Sequence, residues 1–313
     1  MLKKNIQFAA LALLTCIGCT PKAHQDYIQE TKVALENGQS KEAEVLIKQA
    51  MSEEPTSELR LLLTEVYLLN GNIIGAKQQL EKVDIEALTP SEQSKAESLN
   101  AQIAILSFDS SYQRLIDKNS TCRDCMLAEA WSSVALSNSI DLERIEGDTA
   151  VFSVFEAFNS NTLTSLDVSP LIDNSTSDIE LLVMGDLLRR SNNIDGMITV
   201  YNAYKKNNPN VLNINLPLAQ ALLVNNDFKK AKELVTPVLA RFSKNPMANY
   251  LNSLILLSEN KHDEAYSAIS LADTYGIDMP SVSLTKGLLE FNSQNYESAL
   301  SSFEKATNMA PDN

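Results

Sequence analysis

Four related stretches follow one another in the second half of the chain: NNIDGMITVYNAY (192–204), NNDFKKAKELVTPV (225–238), NKHDEAYSAISLA (260–272) and QNYESALSSFEKA (294–306). When they are aligned, one position repeats at intervals of 34, 34 and 34 residues, at Met197, Ala231, Ala265 and Ala299. A second position has the same period, at Tyr201, Val235, Ile269 and Phe303. A fixed period of this length indicates an array of structural repeats.

The same pattern occurs near the beginning of the chain, in NGQSKEAEVLIKQA (37–50) and NGNIIGAKQQLEKV (70–83). Apolar residues at i, i+4 and i+7, such as Ala299, Phe303 and Ala306, predict an amphipathic helix in each stretch. A residue that tolerates the left-handed conformation stands where a preceding helix would end, at Gly38, Gly71, Asn192, Asn226 and Asn260. Prolines close the second helices at Pro55, Pro209 and Pro311. The sequence therefore predicts an all-α fold of helix pairs.

These features resemble the tetratricopeptide repeat over residues 24–88 and 178–313. The resemblance implies an α-solenoid, a right-handed superhelix in which stacked helix pairs share one continuous core. The alternative is an unrelated α-helical bundle, which does not account for three equal intervals of 34 residues.

The chain divides into four segments on this basis: a signal peptide (1–18), N-terminal repeats (19–88), degenerate helical repeats with a loop (89–177) and four regular repeats (178–313). In the third segment helical patterns occur at 91–106, 125–137 and 149–158. The Ser-, Asp- and Thr-rich run 159–178 predicts a long loop or hinge.

The first twenty residues, MLKKNIQFAALALLTCIGCT, have the features of a bacterial export signal. Lys3 and Lys4 precede an apolar run of about ten residues, too short for a membrane span of roughly 20. The run ends in Gly18-Cys19, which resembles a lipobox, although Cys16 stands where Leu is usual. This implies a lipid anchor on Cys19, and Thr20 favours the periplasmic side of the outer membrane over the inner membrane. The alternative is a plain secretory signal.

The composition argues against several classes of function. Lys and Arg number 26 and Asp and Glu 40, a net charge of −14 that disfavours nucleic-acid binding. Two histidines and 9 glycines in 313 residues disfavour histidine-based metal sites, catalytic triads and phosphate-binding loops. We therefore predict no enzyme, no metal site and no cofactor.

One motif could bind a metal or form a disulfide, Cys122-Arg123-Asp124-Cys125. Zinc would need two further ligands, and no other Cys or His is near in sequence. In an oxidising compartment the favoured interpretation is a local disulfide between Cys122 and Cys125. Free thiols and a redox function are the alternatives. Trp131, which follows in the same helical stretch, is interpreted as core.

The repeat resemblance places a protein-binding groove on the first helices of the pairs. The implied groove residues are Arg189, Arg190, Asn213, Gln220, Tyr250, Leu254, Leu284 and Leu288. The Lys/Asn carboxylate clamp of some such domains is missing, since Leu182, Asp186, Leu216 and Gln220 occupy the corresponding positions.

The lipobox, the repeats and the runs Asn249-Tyr250-Leu251 and Gly185-Asp186-Leu187-Leu188 are similar to the PrsT family of tetratricopeptide lipoproteins. That family accompanies the exosortase/PEP-CTERM protein-sorting system of Gram-negative bacteria, and its chains are considerably longer. No polar capping helix follows the last period, so we expect either further repeats or a partner that covers this face.

The resemblance implies a membrane-anchored periplasmic scaffold that binds proteins in exosortase-linked sorting or exopolysaccharide export. One alternative is an assembly lipoprotein for outer-membrane proteins or pili. Another is a thiol-disulfide protein that uses Cys122 and Cys125. A glycan-processing solenoid is disfavoured because the chain has one tryptophan.

Overall fold

The computed structural model describes residues 24–115, 122–137, 139–140, 142, 145, 149–276 and 279–310. The predicted signal segment 1–18 and the lipid-attachment residue Cys19 lie outside these residues, as does Pro311. The described ranges contain α-helices and three short 3-10 turns but no strand.

The helices are α1 (His24–Glu36), α2 (Ser40–Glu53), α3 (Ser57–Leu69), α4 (Ile73–Leu80), α5 (Pro90–Leu106), α6 (Arg123–Ser137), α7 (Ala150–Asn159), α8 (Asp178–Arg190), α9 (Ile194–Asn207), α10 (Asn215–Val224), α11 (Phe228–Arg241), α12 (Pro246–Ser258), α13 (His262–Thr274), α14 (Pro280–Asn292) and α15 (Tyr296–Met309). Within the described part of the chain, none is long and apolar enough to span a bilayer.

Six tight turns join consecutive helices into antiparallel pairs. Each turn contains one residue in the left-handed region: Gly38 (φ 71°), Gly71 (67°), Asn192 (56°), Asn226 (60°), Asn260 (59°) and Gln294 (62°). Around Asn226 the chain closes the end of α10 with two hydrogen bonds, from the Asn226 N–H to the Leu223 carbonyl (3.1 Å) and from the Asp227 N–H to the Leu222 carbonyl (2.8 Å). These bonds satisfy carbonyls that the helix end leaves open. The predicted all-α tetratricopeptide solenoid is confirmed.

Side chains of complementary size fill the contact between the two helices of a pair. A Cβ on Gly287 would lie 2.6 Å from the Phe303 ring, and one on Gly185 would collide with the Tyr201 ring. The same position carries Ala219 opposite Val235 and Ser253 opposite Ile269, all buried. A smaller residue on the first helix therefore accompanies a larger one on the second.

The segment 89–177 keeps part of the repeat pattern. Phe108 (φ 52°) and Asn161 (φ 57°) end α5 and α7 with the same left-handed turn as the regular pairs. Helix α6 packs against both α5 and α8. The predicted loop is tied to the next pair, because the Asn193 side-chain amide donates to the carbonyls of Leu163 (2.7 Å) and Leu166 (2.9 Å).

The solenoid curves until segments far apart in sequence meet. The Asn213 side chain donates to the Leu106 carbonyl at 2.9 Å. The Arg241 guanidinium donates to the Asn70 carbonyl, also at 2.9 Å. The turn between α3 and α4 thus lies against the end of α11 and the loop before α10.

Candidate protein-binding groove

The first helices of the pairs form the inner layer of the solenoid. Helix α10 contacts α12 directly, and α3 contacts α5, while α9, α11 and α13 lie between successive first helices. The 34-residue period arranges inner-face residues of the first helices in two columns. One column consists of Leu182, Leu216, Tyr250 and Leu284, and the other of Asp186, Gln220, Leu254 and Leu288.

Exposure rises along the first column from α8 to α14. Leu182 has an exposed fraction of 3%, Leu216 and Tyr250 are half-buried, and Leu284 is 48% exposed. The inner face is therefore covered at α8 and open at α14.

Helix α6 covers the inner face at α8. The buried Asp186 carboxylate accepts a hydrogen bond from Trp131 Nε1 at 2.7 Å. It also accepts from the guanidinium groups of Arg189 (2.6 Å) and Arg190 (2.7 Å). The Arg190 guanidinium lies 5.8 Å from the centre of the Trp131 ring. Two predicted groove residues thus hold a buried carboxylate, and Trp131 belongs to the core as expected.

Two further predicted groove residues lie on or before α10. Asn213 is half-buried, and its amide is bonded to Leu106 of the N-terminal half. Gln220 is exposed. The chain's own N-terminal half therefore occupies the inner face at the start of α10, while the side of α10 that carries Gln220 stays open.

The remaining four predicted residues lie on α12 and α14. Tyr250 and Leu254 are half-buried, while Leu284 and Leu288 are 48% and 50% exposed. Phe291, one turn further along α14, is 53% exposed and packs edge-on against the Tyr296 ring at 5.5 Å between centroids. Phe291 is not among the predicted groove residues, although it continues the 34-residue series of Leu223 and Leu257. We name the surface formed by Tyr250, Leu254, Leu284, Leu288 and Phe291 the open groove.

A charged cluster ties the last two pairs together beside the open groove. Asp273 accepts from Lys286 Nζ at 2.7 Å and from Lys305 Nζ at 2.6 Å. Burial alone would raise the pKa of Asp273, but the hydrogen bonds from the two ammonium groups outweigh it and lower that pKa. The cluster therefore stabilises the junction of α13, α14 and α15 while Asp273 is ionised.

This pKa shift predicts an acid-sensitive C-terminal junction. The folded-state pKa of Asp273 lies below its unfolded value, so its stabilising contribution is present above the unfolded pKa of about 3.9 and is lost as the pH falls through the folded pKa. In urea unfolding from pH 6 to pH 2.5, Asp273→Asn is expected to reduce the loss of stability on acidification. Asp263→Asn, at an exposed position earlier in α13, is the control. Equal acid sensitivity in all three proteins would contradict the assignment.

Cys122 and Cys125 are bonded to each other at the N-terminus of α6, with the α-carbons 5.3 Å apart. Cys125 is fully buried and Cys122 is partly exposed. With Glu97 they form the one group of three potential metal ligands among the described residues, with all ligand atoms within 4.8 Å. Bonded sulfurs lack the thiolate form that binds metals, so the group in this state is not a metal site.

No protein-family model matches the chain, and no curated protein matches it either. A solved structure of PilF from Pseudomonas aeruginosa is similar over 93% of this chain and 93% of its own, with 13% identity and a TM-score of 0.38. A tetratricopeptide repeat protein from Parabacteroides merdae is similar over 92% and 93%, with 12% identity and a TM-score of 0.38. Yeast Tom70 is similar over 93% and 79%, with 14% identity and a TM-score of 0.34. Structural matches with such low sequence identity concern the fold alone. The fold assignment itself rests on the helix pairs described above.

Proposed function

We propose that the chain is a scaffold that binds a protein partner in the open groove. The observation that carries this proposal is the exposure of Leu284, Leu288 and Phe291, at 48%, 50% and 53%, along one face of α14. Contiguous exposed apolar side chains of this kind mark interaction surfaces in soluble domains. Three of the other predicted groove residues make contacts within the chain, since Arg189 and Arg190 bind the Asp186 carboxylate and Asn213 bonds the Leu106 carbonyl.

The shape of the open groove favours a helical segment as the bound element. Leu284, Leu288 and Phe291 stand at i, i+4 and i+7, and Tyr250 and Leu254 form the neighbouring row on α12. Apolar rows at equivalent positions of successive repeats present a surface suited to the apolar face of an amphipathic helix. Burial of these side chains by the partner would supply most of the affinity.

This proposal predicts that charge in the open groove abolishes capture of the partner. The double variant Leu284→Glu, Leu288→Glu is expected to retain less than about a tenth of the partner bound by the original chain, because burying two carboxylates against apolar groups is costly. Binding is measured by affinity capture from detergent-solubilised cells after in-cell crosslinking. Circular dichroism checks that the variants stay folded.

Val45→Glu is the matched control, since Val45 is 56% exposed on α2 and lies far from the open groove in sequence. Capture unchanged by the double variant, or lowered equally by Val45→Glu, would contradict the assignment of the groove.

We further propose that the scaffold is anchored by acyl chains on Cys19 at the periplasmic side of the outer membrane and serves exosortase-linked sorting or exopolysaccharide export. The lipobox-like Gly18-Cys19 and the resemblance of the repeats to the PrsT family support this proposal. A single acyl chain binds a membrane only marginally, whereas two or more acyl chains on the same residue anchor a protein stably.

The anchor is tested with Cys19→Ala. This variant is expected to lose incorporation of radiolabelled palmitate and to leave the membrane fraction, because the thiol that carries the lipid is gone. Cys16→Ala is the matched control and is expected to stay in the membrane fraction. Palmitate incorporation that persists in Cys19→Ala would contradict the assignment of the anchor.

The partners recovered with the anchored protein decide between the two scaffold proposals. Exosortase or polysaccharide-export components, lost with Cys19→Ala, would support sorting. Components of outer-membrane assembly or of a pilus secretin would instead support the assembly lipoprotein.

One observation favours a second candidate function, thiol-disulfide chemistry. The Cys125 N–H donates to Cys122 Sγ at 3.3 Å at the N-terminus of α6, where a helix stabilises a thiolate. After mild reduction, a redox role predicts rapid alkylation of the partly exposed Cys122 by iodoacetamide at pH 7. Slow alkylation, comparable to that of an ordinary thiol, would argue for a structural disulfide alone.

A further inference from the structure

A cavity of about 700 Å³ lies where the curved solenoid meets itself. Its walls come from three distant parts of the chain: the turn that begins α4 (71–74), the loop and first turn of α10 (212–216) and the junction of α11 with α12 (238–245). The volume falls in the range of small-molecule sites, roughly 300–1,000 Å³. This cavity is separate from the open groove on α12 and α14.

Hydrogen bonds from side chains to backbone carbonyls hold the walls of the cavity together. Arg241 bonds the Asn70 carbonyl at 2.9 Å, and Asn213 bonds the Leu106 carbonyl at 2.9 Å. Gly71 allows the closest approach, since a Cβ there would lie 2.6 Å from the Asn210 carbonyl oxygen. The cavity therefore depends on contacts between distant turns of the solenoid, two of which are made by the side chains of Arg241 and Asn213.

One part of the wall is apolar and open to solvent. Ile74 is 71% exposed and Phe242 is 43% exposed, and both line the cavity together with Leu212, Leu216 and Val238. Apolar side chains converging on one concave site provide the surface that an apolar ligand body covers.

The charge of the cavity is opposite to that of the whole chain. The protein carries 40 acidic and 26 basic residues, yet the lining contains Arg241 and Lys244 and no Asp or Glu. Both kinds of helix end border the cavity, the start of α4 and the C-terminal end of α11, so the two basic side chains determine the sign of its charge. A negative group is therefore favoured here, and a positive group is repelled.

We propose that this cavity binds a small amphipathic anion, a carboxylate attached to an apolar body. The carboxylate would lie beside Arg241 and Lys244, and the apolar body would cover Ile74 and Phe242. Two sources carry this chemistry: a free fatty acid, and the C-terminus of a peptide that ends in apolar residues. The inference is independent of the proposed function, since it requires neither the partner protein nor the lipid anchor.

The test is isothermal titration calorimetry on the purified intact chain with four probes. Decanoate represents the free acid, and N-acetyl-Leu-Leu represents the peptide terminus. N-acetyl-Leu-Leu amide and decyltrimethylammonium keep the apolar bodies and remove or reverse the charge. Binding of decanoate alone would assign the site to a free acid, and binding of the peptide acid would assign it to a chain terminus.

Lys244→Gln is the main variant because Arg241 also holds the Asn70 carbonyl, so that its loss would open the cavity. We expect Lys244→Gln to weaken binding of the carboxylate probe about tenfold, the usual effect of losing a hydrogen bond to a charged group. Lys229→Gln, at an exposed position on α11 outside the cavity, is expected to leave the affinity unchanged. The proposal is overturned if no carboxylate binds at millimolar concentration, if the amide or the cation binds as well as the acid, or if Lys244→Gln leaves the affinity unchanged.

Discussion

Asp186→Ala is expected to lower the free energy of unfolding by about 3–4 kcal/mol, a large effect for one side chain. The substitution leaves the buried Trp131 indole N–H without its acceptor, which is 2.7 Å away in the folded chain. It also separates Arg189 and Arg190 from the carboxylate that both of them bind. Chemical unfolding followed by the fluorescence of the single tryptophan measures the change directly.

Gln220→Ala provides the matched control because it replaces the equivalent residue one repeat later, which is exposed. Its expected effect is below about 0.5 kcal/mol, as for most surface substitutions. A double-mutant cycle with Trp131→Phe, followed by circular dichroism because this substitution removes the single tryptophan, then isolates the indole–carboxylate contact, and a favourable coupling energy of about 1–2 kcal/mol is expected. Similar losses for Asp186→Ala and Gln220→Ala would show that α6 does not pack on α8 as described.

Gly185→Ala is expected to destabilise the chain by about 2 kcal/mol, although alanine favours helices more than glycine does. The added methyl group would overlap the ring of Tyr201, which is fully buried and has no room to move. Overpacking therefore outweighs the gain of up to about 1 kcal/mol in helix propensity. Thermal and urea unfolding of the variant provide the measurement.

The next repeat has a larger residue on the first helix and a smaller one on the second, Ala219 and Val235, at the positions of Gly185 and Tyr201. Gly185→Ala combined with Tyr201→Val recreates that pair, so the two substitutions are expected to cost less together than the sum of their separate effects. Strict additivity in this cycle would contradict the size complementarity between first and second helices.

The repeat period and the turns of the regular pairs could be predicted from the sequence because each depends on residues close together in the chain. Small residues such as Ala231 and left-handed residues such as Asn226 mark these features directly. Even in the irregular segment the helices α5, α6 and α7 lie within two residues of the predicted stretches at their ends. Local capping and amphipathic patterns are sufficient to locate such helices.

The sequence does not reveal which of the predicted groove residues are exposed and which make contacts within the chain. Whether Asn213 faces a partner or Leu106 depends on the curvature accumulated over several repeats, which no single repeat encodes. The position of α6 against α8 depends on long-range contacts such as the bonds from Trp131 to Asp186 and from Arg123 to Glu180, which join residues far apart in the sequence. The open groove on α14 was partly predicted because Leu284 and Leu288 follow the repeat period.

Site-specific photocrosslinking in living cells tests whether a protein partner binds in the open groove. A photoreactive phenylalanine analogue at Leu288 reports on the groove, and the same analogue at Val45 reports on an outward-facing position of similar exposure. Binding in the open groove predicts one discrete crosslinked protein from position 288 that is absent from position 45. No crosslink from position 288, or the same crosslinked products from both positions, would contradict it.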